Sequence, residues 1–221
     1  MRELHFYFDF ISPYAYFSWR WLQPFCRQHR LTLIPHPVVF GKLLDHWGQL
    51  GPAEVKPKKA ALYRYCYRYA HAEGFNFNPP QRHPFNPLPA LRLSLKEVSG
   101  EQQQALISAI FEAGWSRGAD LSCEHTLKQL VTDVGLDADI TMARIQEADV
   151  KALLVQETQE ALAQDVFGVP TFVLDGELFW GNDQREHLKL CVEGNDPLDR
   201  EALEEMLARA RGIDRKQFQN R

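Results

Sequence analysis

The sequence is poor in sulfur: 221 residues contain four cysteines, Cys26, Cys66, Cys123 and Cys191, with no two close together. There is thus no C-x-x-C pair for dithiol exchange and no clustered spacing for a structural zinc site. Each cysteine reads as a small buried hydrophobe. The eight histidines fall into no H-E-x-x-H or comparable pattern, so a bound metal is not expected. Long apolar runs are also missing. No window supplies the roughly 20 uninterrupted apolar residues of a membrane span, and Glu3 and Asp9 break up the opening MRELHFYFDF, which lacks the apolar core of a secretion signal. The expectation is no membrane association and a cytoplasmic location. Basic residues are not in excess: 25 Lys and Arg face 29 Asp and Glu, a formal charge of −4. Such a chain has no global field for gripping phosphate backbones, so no nucleic-acid partner is expected.

What is present is ordinary for a globular protein, with 45% apolar and 24% charged residues. The length exceeds one average domain of about 150 residues without reaching two. One large domain, or a domain carrying an insertion, therefore fits.

Leu4 to Phe10 is dense in aromatics and too short for a helix, which suggests a strand buried on both faces. Ser12-Pro13 then marks a helix start, because the hydroxyl can accept an orphan N–H and proline loses nothing at the first helical position. Tyr14, Phe17, Ser18, Trp21, Leu22 and Phe25 give that helix one apolar face, and Pro24 is expected to kink or end it. Leu31 to Phe40 reads as a second strand, which Pro35 and Pro37 push towards an edge. Helical patterns follow over Lys58 to Ala72, with Leu62, Tyr65, Cys66 and Tyr69 on one face, and over Gln102 to Trp115, Ser122 to Val134 and Val150 to Val166. The proline-rich stretch Phe75 to Pro89 reads as a loop.

Strand character returns at Thr171 to Leu174 and Glu177 to Trp180, around a two-residue Asp175-Gly176 turn. Helices are expected from Asp183 and from Asp199. Two sheet pieces separated by a long helical stretch are each too small to bury their own faces, so the economical fold is one mixed sheet with a helical insertion. The expected division is 1–40 with 167–221 for the sheet-bearing part and 41–166 for the inserted helical part. The fold class is α/β.

This order, strand-helix-strand, helical insertion, then Val-Pro leading into a hairpin and a helix, resembles a thioredoxin-like fold of the DsbA type. FDFISPYAYF, Phe8 to Phe17, is similar to the N-terminal signature of 2-hydroxychromene-2-carboxylate isomerases and kappa-class glutathione transferases. FGVPTFVLDGELFWGND, Phe167 to Asp183, is similar to their second signature, and GPAEVKPKKAALYRY, Gly51 to Tyr65, to the segment between. Thioredoxin-like redox enzymes place two cysteines in the first turn after the first strand, three residues apart. Here those places hold Ser12 and Ala15, so dithiol exchange is excluded. A helix N-terminus with unpaired N–H groups, suited to an anion, survives the change.

The resemblance implies that the anion is the thiolate of glutathione, with Ser12 as the catalytic residue that donates a hydrogen bond to the sulfur. Capping the helix is the simpler use of the same serine, and the two uses are compatible. The resemblance further implies a cis Val169-Pro170 bond, with the Val169 main chain pairing with the cysteinyl backbone of glutathione like an added strand. In Trp180-Gly181-Asn182-Asp183, backbone N–H groups would hold the γ-glutamyl carboxylate, Asp183 would pair with its ammonium, and Trp180 would be core or cover. A plain turn and a helix cap account for the same residues.

An aromatic carboxylate substrate needs a cation or N–H cluster and an aromatic wall. The substrate-side candidates are Lys58, which matches a lysine of the GPAE-x-x-x-K pattern, Gln49, where the families commonly carry asparagine, and His83 in the proline-rich loop. Lys58 also fits as one of several solvated cations, and His83 as a solvated loop residue. The activity implied is glutathione-dependent cis-trans isomerisation of 2-hydroxychromene-2-carboxylate to trans-o-hydroxybenzylidenepyruvate, by thiolate addition, ring opening, bond rotation and elimination. The alternatives are a kappa-like transferase, or a thioredoxin-like protein that binds thiols or peptides without turnover. The families also imply a homodimer.

Overall fold

A computed structural model describes residues 1–210 and 212 of the chain. In chain order, β1 (Glu3–Phe8), α1 (Pro13–His29) and β2 (Thr32–Pro37) are followed by α2 (Phe40–Trp47), α3 (Lys56–Ala72), α4 (Leu88–Leu93) and α5 (Lys96–Ser99). Then come α6 (Gln103–Trp115), α7 (Glu124–Asp133), α8 (Ala138–Arg144), α9 (Ala148–Ala163), β3 (Thr171–Leu174) and β4 (Glu177–Trp180). A short 3₁₀ turn (Asn182–Gln184), α10 (Arg185–Val192) and α11 (Arg200–Leu207), capped by Asp199, end the described chain. No helix among the described residues is long and apolar enough to cross a membrane.

The four strands form one mixed sheet in the order β2-β1-β3-β4. β1 runs parallel to β2 and antiparallel to β3, and β3 and β4 form the expected hairpin. β2 is the edge, where its prolines cost no ladder bonds on the open side. The two strands at the N-terminal end are shorter than the sequence suggests: β1 stops at Phe8 and β2 at Pro37, and the residues beyond each turn into the following helix.

β1 is buried on both faces. Phe6 stacks with Phe172 at a ring distance of 5.4 Å, Phe8 packs at a tilt against Phe111 at 5.7 Å, and Trp19 on α1 joins them. On the opposite face Tyr7 packs with Val38, Leu43, Ala161, Val166, Val169 and Val173. Trp115, fully buried, donates its Nε1–H to the Phe10 carbonyl at 2.8 Å and so ties α6 to the chain leaving β1.

Three expectations are corrected. Of the two effects expected of Pro24, an end to the helix does not occur: α1 continues to His29, because Trp21, Leu22, Phe25 and Cys26 are all buried and their packing outweighs one missing N–H. On α3, Leu62, Cys66 and Ala70 are buried, whereas Tyr65 is exposed. Cys26 and Cys66 are buried, and burial pushes both thiols up to about 12; Cys123 is instead exposed at the start of α7, its thiol lowered by the Thr126 N–H, and Cys191 is partly exposed.

By its contacts the chain divides into a compact body of residues 1–184 and a second unit from Arg185 onward. The first body holds the whole sheet together with the helices between β2 and β3. The second holds α10, with Leu188 buried, and α11. Of the expected sheet-bearing part 167–221, residues 211 and 213–221 lie outside those described.

One buried charge joins the end of β1 to the start of α2. Asp9 is 1% exposed; its Oδ1 accepts the Ile11 N–H and its Oδ2 the Phe40 N–H, each at 3.0 Å. Burial raises this carboxyl from 3.8 to about 7, against the downward pull of the two N–H donors.

Two outcomes are expected. Phe111→Ala should lower unfolding stability in urea by about 3–5 kcal/mol, whereas truncating Tyr67, 70% exposed, should change it by no more than about 0.5 kcal/mol. Because the folded Asp9 keeps a proton that the unfolded chain releases above about 3.8, stability should decline as pH rises from there to about 7. Asp9→Asn should flatten that decline in urea titrations across the same window.

Candidate active site

Ser12 sits where β1 hands over to α1. Its backbone is extended, its N–H is held by the Asp9 carbonyl at 3.1 Å, and Pro13 occupies the first helical position. Its side chain is 7% exposed and makes two bonds: Oγ accepts the Ala15 N–H at 3.2 Å and donates to the Val169 carbonyl at 3.4 Å. The first bond is the cap that the sequence suggests. The second is long, and it links residues far apart in sequence because β1 and β3 pair with Tyr7 opposite Thr171. No acidic side chain lies in the first turn of α1, so the positive end of its dipole is left for another anion.

The Val169-Pro170 peptide is cis. The segment is pinned on both sides: Thr171 Oγ1 donates to the Gly168 carbonyl at 2.7 Å, and the Gly181 N–H donates to the Pro170 carbonyl at 3.0 Å. Among the described residues the Val169 N–H finds no acceptor, although Val169 is only 7% exposed. A main-chain donor that lacks a partner beside a carbonyl held only at 3.4 Å is a strand-like edge two atoms wide.

Trp180 is 53% exposed and packs edge-on against Phe167, ring centroids 4.9 Å apart. Its indole lies so close to Gly168 that a Cβ there would come within 2.6 Å of Nε1. Trp180 therefore walls the turn. Gly181 adopts a φ of 111°, which a side chain would strain. Asn182 is buried with its Oδ1 accepting both Ser18 Oγ–H and Trp21 Nε1–H at 3.0 Å, so its side chain ties this turn to α1. Asp183 is exposed, and its charge helps to raise the half-buried Tyr14 hydroxyl, whose pKa stands at about 12 chiefly through burial.

Ser12, Val169, Pro170, Trp180, Gly181, Asn182 and Asp183 are thus gathered around the N-terminus of α1. The substrate-side candidates are placed differently. Gln49 and Lys58 are exposed, and among the described residues neither side chain forms a hydrogen bond or ion pair. His83 is buried, with Nε2 2.9 Å from the Ile11 carbonyl and Nδ1 2.9 Å from Tyr63 Oη. Since Nε2 must donate to the carbonyl, Nδ1 accepts the tyrosine proton, and burial holds the ring below its usual 6.5. Both ring nitrogens are occupied, so His83 supports the Ser12 turn from behind. Asp9 supports it through Ile11; its one local signal in the sequence is an acidic residue directly after the aromatic run Phe6-Tyr7-Phe8.

The arrangement suits a small anion that also offers a peptide group: a hydroxyl donor and helix N-terminus for the charge, and Val169 for the backbone. Tyr14 meets Tyr65 edge-on at 5.4 Å and adds aromatic surface beside it.

Comparison with known proteins places the chain by its fold. The profile of the DSBA-like thioredoxin domain matches residues 3–193. The 2-hydroxychromene-2-carboxylate isomerase of Sphingobium xenophagum is 26% identical over 190 residues, covering 85% of this chain and 96% of that protein. A solved 2-hydroxychromene-2-carboxylate isomerase superimposes with a TM-score of 0.80 at 22% identity, over 94% of this chain and 100% of the other. The cytosolic disulfide reductase DsbM from Pseudomonas aeruginosa, solved with GSH, superimposes with a TM-score of 0.61 at 18% identity, over 93% and 98%. The match spans the sheet, the helices between its halves and the turn that carries Val169, and on that ground the chain belongs to the family of DSBA-like thioredoxin domains.

Proposed function

We propose that this protein is a glutathione-dependent isomerase acting on 2-hydroxychromene-2-carboxylate or a closely related aromatic carboxylate. The observation that carries the reading is the Ser12 hydroxyl, buried at a helix N-terminus that no acidic side chain occupies, in a fold whose usual thiols are replaced by Ser12 and Ala15. The protein keeps an anion-favouring turn and has no sulfur of its own there. The curated relative that bears the isomerase name, and the GSH held by a disulfide reductase of the same fold, support the choice of reaction and thiol.

When bound, glutathione would supply a nucleophilic thiolate for reversible addition to the conjugated double bond of the substrate. The chain's own residues bind and orient. The Val169 N–H and C=O would pair with the cysteinyl peptide group, the Ser12 hydroxyl would turn from the Val169 carbonyl to the sulfur, and the α1 N-terminus would favour the charged form. Asp183, exposed beside Gly181, would take the γ-glutamyl ammonium, and the backbone of the 181–183 turn its carboxylate. Trp180 would cover the bound peptide. Gln49 and Lys58, both free in solvent, are available to the substrate carboxylate, while His83 acts on the turn rather than on substrate. The assembly is proposed as a homodimer.

Incubation with glutathione and the chromene separates three possibilities. Loss of chromene at constant free thiol supports the isomerase, net loss of thiol onto an electrophile replaces it with a transferase, and saturable binding without either leaves a binding protein. Ser12→Ala should cut turnover at neutral pH by about tenfold or more, the effect of about 1.4 kcal/mol in the transition state, while losing about 1 kcal/mol of helix-cap stability. Unchanged turnover would remove Ser12 from the mechanism. Gly168→Val should drive a branched side chain into the Trp180 indole and weaken glutathione binding in calorimetry, whereas Tyr67→Ala, at an exposed site, should leave binding intact.

A further inference from the structure

Asp9 has no part in the roles above, yet it is the buried ionisable group next to Ser12. Each of its oxygens accepts one backbone N–H at 3.0 Å, from Ile11 in the turn before Ser12 and from Phe40 at the start of α2. A carboxylate serves both best: a protonated carboxyl accepts more weakly at its hydroxyl oxygen, and an amide would turn an N–H donor towards one of the two donors. α2 depends on this bond, because its cap residue Val39 offers no side-chain acceptor. Ile11 depends on it too. The Ile11 carbonyl is held by His83 and its N–H by Asp9, so the two fix the orientation of the peptide that leads into Ser12.

We propose that Asp9 is a positioning residue whose ionised carboxylate ties the Ile11–Ser12 turn to the first turn of α2 and so aims the Ser12 hydroxyl. The clamp stands on its own geometry; what it aims rests on the glutathione reading given above. Among the described residues, no opposite charge on the packed elements compensates Asp9. On α2, Lys42 and Asp45 pair with each other in solvent; on α9, Glu157 pairs with His36; across α1 and α6, Arg20 pairs with Glu112. His83 is neutral near pH 7, and the Tyr7 hydroxyl on β1 donates to Gln164. With burial raising the carboxyl to about 7, its two forms interchange near neutrality.

A mere buried charge and a positioning group predict opposite signs. Removing a negative charge beside Ser12 would favour a thiolate there, whereas loosening the turn would disfavour it. Asp9→Asn, folded by circular dichroism, is therefore titrated with glutathione while the ultraviolet thiolate band and turnover are followed against pH. The expected result is a loss of about tenfold in turnover, a smaller thiolate band at neutral pH, and loss of the acidic limb near pH 7 that ionisation of Asp9 would give the wild type. A thiolate band equal to or larger than that of the wild type would overturn the proposal. In the wild type without ligand, the Ile11 and Phe40 amide resonances should titrate together with one midpoint; independent or unresponsive resonances would overturn it even if the variant fails to fold. A wild type that binds no glutathione would sink the preceding reading, and the amide titration would still decide the clamp.

Discussion

The pairing of β1 with β3 is the constraint on which the site depends. Ser12 follows β1 and Val169 precedes β3, so the register that sets Tyr7 opposite Thr171 also brings the serine hydroxyl to the Val169 carbonyl. That register is held from both faces of the sheet: Phe6 and Phe8 pack into one aromatic layer with Phe172 and Phe111, while Tyr7 lies among the valines of the other. A shift by one residue would exchange the two layers, burying the polar end of Tyr7 where the phenyl rings pack. The core therefore fixes the geometry of a site assembled from the two ends of the first compact body.

The same constraint shows why the turn tolerates a buried carboxylate. Asp9 follows an aromatic strand in a place without a counter-charge among the described residues, and near neutrality its ionisation costs folding stability. The cost is local, and what it secures is local as well: one peptide before Ser12 and the first turn of α2. Strain of this kind collects at functional sites, where a structure does not settle into its most stable arrangement.

Much of this was legible in the sequence where the signal is short-range. Ser12-Pro13 as a helix start, the Asp175-Gly176 hairpin and an edge position for the proline-bearing second strand all rest on the chemistry of adjacent residues, and the structure has each of them. What was illegible depends on partners distant in the chain. α2 carries Gly41 and has no capping side chain of its own; its caps come from Asp9 and from Thr158 Oγ1, which takes the Val39 N–H at 3.1 Å. Pro24 ought to end a helix on local grounds, and only the packing around Trp21 and Phe25 carries α1 past it. His83, a loop residue as expected, reads as solvated from the sequence and is buried because its partners, Ile11 and Tyr63, are set by the tertiary fold. The Val169 N–H, unpaired among the described residues, was reached only through the resemblance of the Phe167–Asp183 segment, since no local pattern marks it.

The central claim is that the protein stabilises a thiolate it does not own. Calorimetry of glutathione binding near pH 7, repeated in buffers of different ionisation enthalpy, measures the protons set free as the tripeptide binds. The account predicts saturable binding with release of close to one proton, because glutathione enters as a thiol and is held as an anion at the start of α1. Binding with no proton release, or no binding by folded protein, would contradict it.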